Sequence, residues 1–310
     1  MSVEAVAGHP DYSTGGTSNF IPQLFSGKLI TKFYSASVFP DISNTDYEGE
    51  IKDMGDSVTI RTVPDITIND YKKGQKLDYE RPESPSVELL IDKGKYFGAV
   101  CDDVDKLQSD IPLMDKWAED ASEQMKIAID TGILADVYAD ASSDNTGQTA
   151  GAKSSAFDLG VTGTPEAITK SNVLDYLVDC GTVLDEQNMP ESDRFIVIPA
   201  WMAGLIKKSD LKDASLTGDG SSTLRNGKLG MIDRFMLYIS NNLTAVSDSG
   251  TSSYNMIFGH KSALTFASQL VKMETLKAES TFGELIRGLQ VYGYKVVKPE
   301  SMGVLYGYKG

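Results

Sequence analysis

Two cysteines, two histidines and two tryptophans in 310 residues leave little material for the commonest kinds of chemical site. Cys101 and Cys180 stand far apart, outside any CxxC or Cys/His arrangement. The sequence therefore signals neither a disulfide scaffold nor a zinc site, and it suits a reducing cytoplasm. His9 and His260 do not make a His-centred triad, and His260, with no nucleophile motif beside it, reads as a surface or capping residue. Trp117 and Trp201 lie outside any basic, aromatic-rich stretch and read as core or interface anchors. Positive charge is short as well: 29 Lys and Arg face 44 Asp and Glu, a net charge of −15. Nucleic acid is held by cations that displace its counterions, so tight general binding to phosphate backbones is disfavoured. The same sign suits a container wall past which packed DNA can slide. No apolar run is long enough to span a bilayer, and the start, with Glu4, His9, Pro10 and Asp11, lacks an export-signal pattern.

What the chain does have is ordinary globular material. Hydrophobic residues make up 41% and charged residues 24%, and the length suits one elongated domain or two joined subdomains. The motifs that invite a chemical reading fail on detail. GDGSSTLRNGK lacks a glycine five positions before Gly227 and places Leu229 where a phosphate loop needs Ser or Thr. Asp102, Asp103 and Asp105 lack the spacing of a calcium loop and read as a solvated helix entrance, while Asp140, Asp144 and Asn145 read as turn formers. With 44 acidic residues some carboxylate pair always exists, so a carboxylate-based hydrolase stays open as an unspecific alternative. No catalytic residue, metal or cofactor is assigned.

Along the chain, residues 1–28 are rich in Gly, Ser, Thr and Asn and read as an extended arm that needs a neighbouring surface. Leu24, Phe25, Leu29, Ile30 and Phe33 recur at helical spacing, with Pro40 expected to end that helix. SVTIRTV and SVELLIDKGKYFGAV read as two strands of a long hairpin, with Lys72, Lys73 and Lys76 at a charged tip. A long helix is expected over 113–139, buried through Met114, Ala118, Ala121, Met125, Ala128, Gly132 and Ala135, with Ile129, Ile133 and Val137 widening that face. A second helix over 173–184 is capped by Thr169 or Ser171 and ended by Asn188 and Pro190. RFIVIP reads as a buried strand, AWMAGLIKK as a helix, LTGDGSSTLRNGK as a flexible loop, and the remainder as alternating strands and short helices. The fold class is α+β.

This order of parts resembles the Hong Kong 97 capsid fold. The sequence looks like a podovirus-type tailed-phage coat protein family through MGDSVTIRTVPDITINDYKKGQ, RFIVIPAWMAGLIK, GKLGMIDRFMLYISNNL, FGHKSALTFASQ and FGELIRGLQVYGYKVVKPE. The resemblance implies a major capsid protein forming hexamers and pentamers of an icosahedral shell around dsDNA. It divides the chain into an arm and short helix (1–50), an extended hairpin loop entering a peripheral domain (51–105), that domain with its spine helix (106–164), an axial domain (165–290) and returning C-terminal strands (291–310). The same resemblance implies a portal protein as partner. A separate scaffolding protein is expected because no long charged helical segment opens the chain, and a decoration protein is an optional further partner. An encapsulin-like nanocompartment shell, which shares the fold, is the nearest alternative. The site residues are then interface candidates: Phe20, Leu24 and Phe25 in the arm, Lys72, Lys73 and Lys76 at the hairpin tip, and Asp219 and Arg225 in a loop near the capsomer centre.

Overall fold

The computed structural model describes residues 34–46, 57–61, 63–64, 66–77, 79–84, 86–102, 113–209, 230–278 and 282–310. Its centre is a mixed sheet of strands β4 (Glu166–Ile168), β5 (Arg194–Ile198), β6 (Met231–Ile232), β7 (Phe235–Ile239), β8 (Ala245–Asp248), β9 (Thr251–His260) and β12 (Met302–Lys309), ordered β4-β12-β9-β5-β7-β6 with β8 on β9. All five residues of β5 are buried, and because successive side chains point to opposite faces that are both covered, Phe195 to Ile198 are apolar without alternation. Ile196 and Ile198 pack with helices α3 (Val173–Glu186) and α4 (Ala200–Lys208) on one face. Phe195 and Val197 pack on the other face with the long helix α2 (Leu113–Asp136) and the single turn α1 (Phe39–Ile42). In chain order, β1 (Ser57–Arg61), β2 (Ser86–Leu90) and β3 (Lys93–Asp102) precede α2.

β9 and β12 are antiparallel neighbours, Met302 opposite Gly259, yet between them the chain runs out and back as β10 (Leu264–Lys277) and β11 (Gly283–Val296). This long ribbon is joined by β3 into a second sheet, β10-β11-β3. His260 sits where the chain switches sheets, its Nδ1 3.1 Å from the Ser262 N–H that it accepts, which fits the capping reading. Burial holds the imidazole pKa below its usual value, with Lys298 and Arg194 acting in the same direction and Asp193 opposing them.

Several expectations are corrected. The run SVELLIDKGKYFGAV is two strands: β2 pairs with β1, and after Ile91 and Asp92 the chain joins β11 as β3. There Leu90 crosses β11 at Gly293, where a Cβ would stand 2.1 Å from the Leu90 carbonyl oxygen. Pro40 opens α1, in whose first turn a missing N–H leaves no bond unmade. On α2 the expected Ile129 and Ile133 are buried together with Leu134, and Val137 just beyond the helix is buried too, because larger aliphatic side chains remove more surface from water; of the small-residue stripe Met125 packs against the same cluster, whereas Ala128 is exposed. After α4 the described residues hold strands and one 3₁₀ turn, Pro299–Ser301, rather than alternating helices. Asn172 occupies the N-cap of α3, its Oδ1 accepting the Thr169 N–H at 2.7 Å, so neither Thr169 nor Ser171 caps it. Asp102 closes a strand rather than entering a helix, and Asn145, in a 3₁₀ turn, is fully buried and donates to the carbonyls of Glu300 and Met302. No described helix is long and apolar enough to cross a membrane.

Candidate assembly surfaces

β1 and β2 form a short antiparallel ribbon whose inward side chains, Ile60 and Leu89, join Ile91, Ala267 and Val297 in a small separate cluster. That cluster fixes the root of the arm on β10 and β11. Between the strands the described residues form no further ladder, and apolar side chains stand in solvent: Val63 is 91% exposed, Ile68 89% and Tyr79 88%. Nothing within the subunit covers them among the described residues, which is the usual sign of a surface completed by another chain. Lys72, Lys73 and Lys76 lie at the tip as expected, all exposed, and none meets a carboxylate among the described residues. The tip is a type II-like turn in which the Gln75 N–H donates to the Lys72 carbonyl at 3.0 Å and Gly74 takes φ +85°.

A second exposed apolar surface is the outer end of the β10-β11-β3 sheet, with Tyr96, Val100, Met273 and Phe282 all exposed. Toward its root it adjoins an open groove of about 320 Å³, bounded by Ser37, Phe39 and Pro40, by Met125 and Lys126 of α2, and by Phe97, Met273 and Leu289 of the sheet. Trp117 on α2 is exposed, and Trp201 packs on the core 6.0 Å from the Tyr254 ring. Phe20, Leu24, Phe25, Asp219 and Arg225, with the LTGDGSSTLRNGK loop, lie outside the described residues, as does the helix expected before Pro40 as far as residue 33; residues 34–38, which were to continue it, are not helical.

Buried and anchored charges hold these surfaces in place. Arg194, 1% exposed, donates to the carbonyls of Gly181, Met189 and Pro190 and to Asp185 Oδ1, tying α3 to β5. Burial alone would raise the Asp185 carboxyl, but hydrogen bonds from Arg234 and Arg194 hold it below its usual value. Glu186, accepting from Ser154 and the Lys153 N–H, and Asp248, accepting from the Gly163 N–H and Tyr306, are lowered by those bonds. Asp130, fully buried on α2, accepts the N–H groups of Val38 and Phe39 and the Asn242 amide.

A ribbon carrying its own small cluster, a long helix laid across a sheet and large uncovered apolar surfaces describe a subunit shaped for neighbours. The family model for phage capsid protein matches residues 88–306. The chain belongs to that family. Among solved structures, this capsid protein is similar to a chain of Mycobacterium phage Che8, with 28% identity, a TM-score of 0.76, and 93% of this chain and 98% of that one covered. It also matches the capsid of cyanophage P-SCSP1u, with 18% identity, a TM-score of 0.69 and 94% of each chain covered. The mature capsid of bacteriophage PhiM1 matches at 16% identity and a TM-score of 0.66, over 92% of this chain and 91% of that one. No curated protein matches. The fold is therefore the Hong Kong 97-like capsid fold, and the chain is a phage major capsid protein, a self-assembling subunit of the virion shell.

Proposed function

We propose that the protein acts through contacts rather than catalysis, assembling as hexamers and pentamers into an icosahedral shell around dsDNA in the host cytoplasm. The observation that carries this reading is the arm between β1 and β2, whose apolar side chains have no cover among the described residues of their own subunit. On this reading the arm lies over an adjacent subunit, with Lys72, Lys73 and Lys76 setting register against acidic neighbours. α2 and the β10-β11-β3 sheet belong to a peripheral domain, and the seven-stranded sheet with α3 and α4 to an axial domain. Phe20, Leu24 and Phe25 bury against another chain, and the loop with Asp219 and Arg225 faces the capsomer centre. A scaffolding protein, a portal and, where present, a decoration protein complete the particle. The test is expression alone and with the proposed scaffolding protein, followed by light scattering and negative-stain microscopy. Closed shells of tens of nanometres are the expected result, and a stable monomer or dimer under both conditions overturns it.

A further inference from the structure

The tip of the β10-β11-β3 sheet carries a side chain with no seat, and its root borders a seat with no side chain. Phe282, immediately before β11, is 91% exposed and is the one exposed phenylalanine among the described residues. It stands at the end of the ribbon, where the Ala278 N–H donates to the Gly283 carbonyl at 2.9 Å. The other exposed aromatics among the described residues are tyrosines and Trp117, whose hydroxyls and N–H need partners when buried, whereas a phenyl ring needs only apolar cover. The groove of about 320 Å³ beside α2 offers such cover through Phe39, Pro40, Phe97, Met125, Met273 and Leu289, and thioethers adapt readily to an aromatic ring. The lysines that line it are already engaged, Lys126 with Glu123 at 2.7 Å and Lys272 with Glu274, which leaves the seat to an apolar occupant. Tip and groove cannot meet within one subunit. β10 and β11 stay paired as far as Lys277 opposite Glu284, and β3 accompanies β11 to Asp102 opposite Gly283, so the ribbon is three strands wide to its end. Phe282 lies six residues of extended chain from Gly288 on the groove wall, about 20 Å away.

We propose that Phe282 seats in the groove beside α2 of a second copy of this chain. The inference deepens the assembly reading and rests on it. A seat repeated on every subunit of a shell is matched one for one by a tip repeated on every subunit, the self-complementary arrangement from which closed assemblies are built. Area sets the strength of the contact: one aromatic side chain removes roughly 150–250 Å² from water, far below the roughly 1,200 Å² of a stable specific interface. The contact therefore does not hold two free subunits together, and it counts where other surfaces, such as the arm, engage at the same time.

The test replaces Phe282 by a photoreactive ring of similar shape. Subunits carrying Phe282→p-azidophenylalanine are co-assembled with isotope-labelled parent subunits, the shells are irradiated, and tryptic digests are read by mass spectrometry. The expected product joins the 278–287 peptide to a labelled peptide of the groove, 117–126 of α2 first among them. A link to another segment of the chain, a link to a different protein, or no link in intact shells overturns the proposal. Phe282→Ala should raise the subunit concentration at which shells appear by about thirtyfold, the factor typical of an aromatic anchor in an interface pocket. Its urea midpoint should match that of the parent, because the ring is exposed in the free subunit, and an unchanged assembly threshold overturns the proposal. Failure of the parent to form shells strikes the assembly reading instead; irradiation of concentrated subunits then decides the contact, a groove link upholding it and its absence overturning it.

Discussion

The Asp130 carboxylate is 0% exposed and has three donors aimed at it, from Val38, Phe39 and Asn242. Its truncation strands all three in the interior, and buried donors without acceptors cost more than the bonds they replace are worth. Asp130→Ala should therefore lower the unfolding free energy by about 3 kcal/mol, read as an earlier urea midpoint with an unchanged slope. The folded-state pKa of His260 is depressed, so its contribution is present above the ordinary value of 6.5 and is lost as pH falls below it. Asp185, Glu186 and Asp248 are depressed too, and their contributions fade only below the ordinary 3.8 for aspartate and 4.5 for glutamate. Thermal midpoints should fall in two stages on acidification, and His260→Gln should abolish the first while leaving the second. A single transition below pH 4.5 in both proteins would contradict the assignment.

At the scale of elements, the arm is held by a cluster so small that one side chain controls it. Leu89 is fully buried among Ile60, Ile91, Ala267 and Val297. Leu89→Ala should loosen the arm by about 2 kcal/mol without unfolding the body, because the cluster shares no member with the two main cores. Hydrogen exchange at 57–61 and 86–90 should quicken by roughly thirtyfold while α3 and β5 keep their protection. Loss of protection everywhere at once would show that the arm and the body are one cooperative unit. Periodicity made β5, α3 and α4 legible in the sequence, because each is governed by one repeating burial pattern. It did not reveal the break between β2 and β3. Ile91 and Asp92 suit either a continuous strand or a change of sheet, and the choice is made by a distant residue, Gly293, which admits the Leu90 carbonyl. Where the buried face of α2 is centred was hidden likewise: Ile129 and Ile133 were readable as part of it, but that the sheet buries them and leaves Ala128 exposed is decided by packing. Buried Asp130 and Arg194 carry no local signal, since a charged residue at a helix centre or strand start is ordinarily solvated. The exposed tip lysines were readable because turn chemistry is local.

For the whole molecule, charge opposes the association that the uncovered surfaces favour. Every copy carries −15, so subunits meeting in a shell repel over the long range, while Lys72, Lys73 and Lys76, if they meet acidic neighbours as proposed, attract only at short range. Salt weakens both effects, but not equally. Exposed charges farther apart than the Debye length, about 10 Å at 0.1 M, are largely screened, whereas a close pair loses less. The summed repulsion should therefore fall faster than the local pairing, and shell assembly should speed up as NaCl rises from about 0.05 to about 0.3 M. Reversing the three lysines to glutamate moves each subunit further from neutrality and removes the attractive contacts, so the variant should assemble more slowly and require more salt to match the parent. Time-resolved light scattering across a salt series measures both proteins. Parent assembly that slows steadily with salt would mean that short-range pairs govern association, and the lysine tip would then outweigh the net charge as the determinant of when shells form.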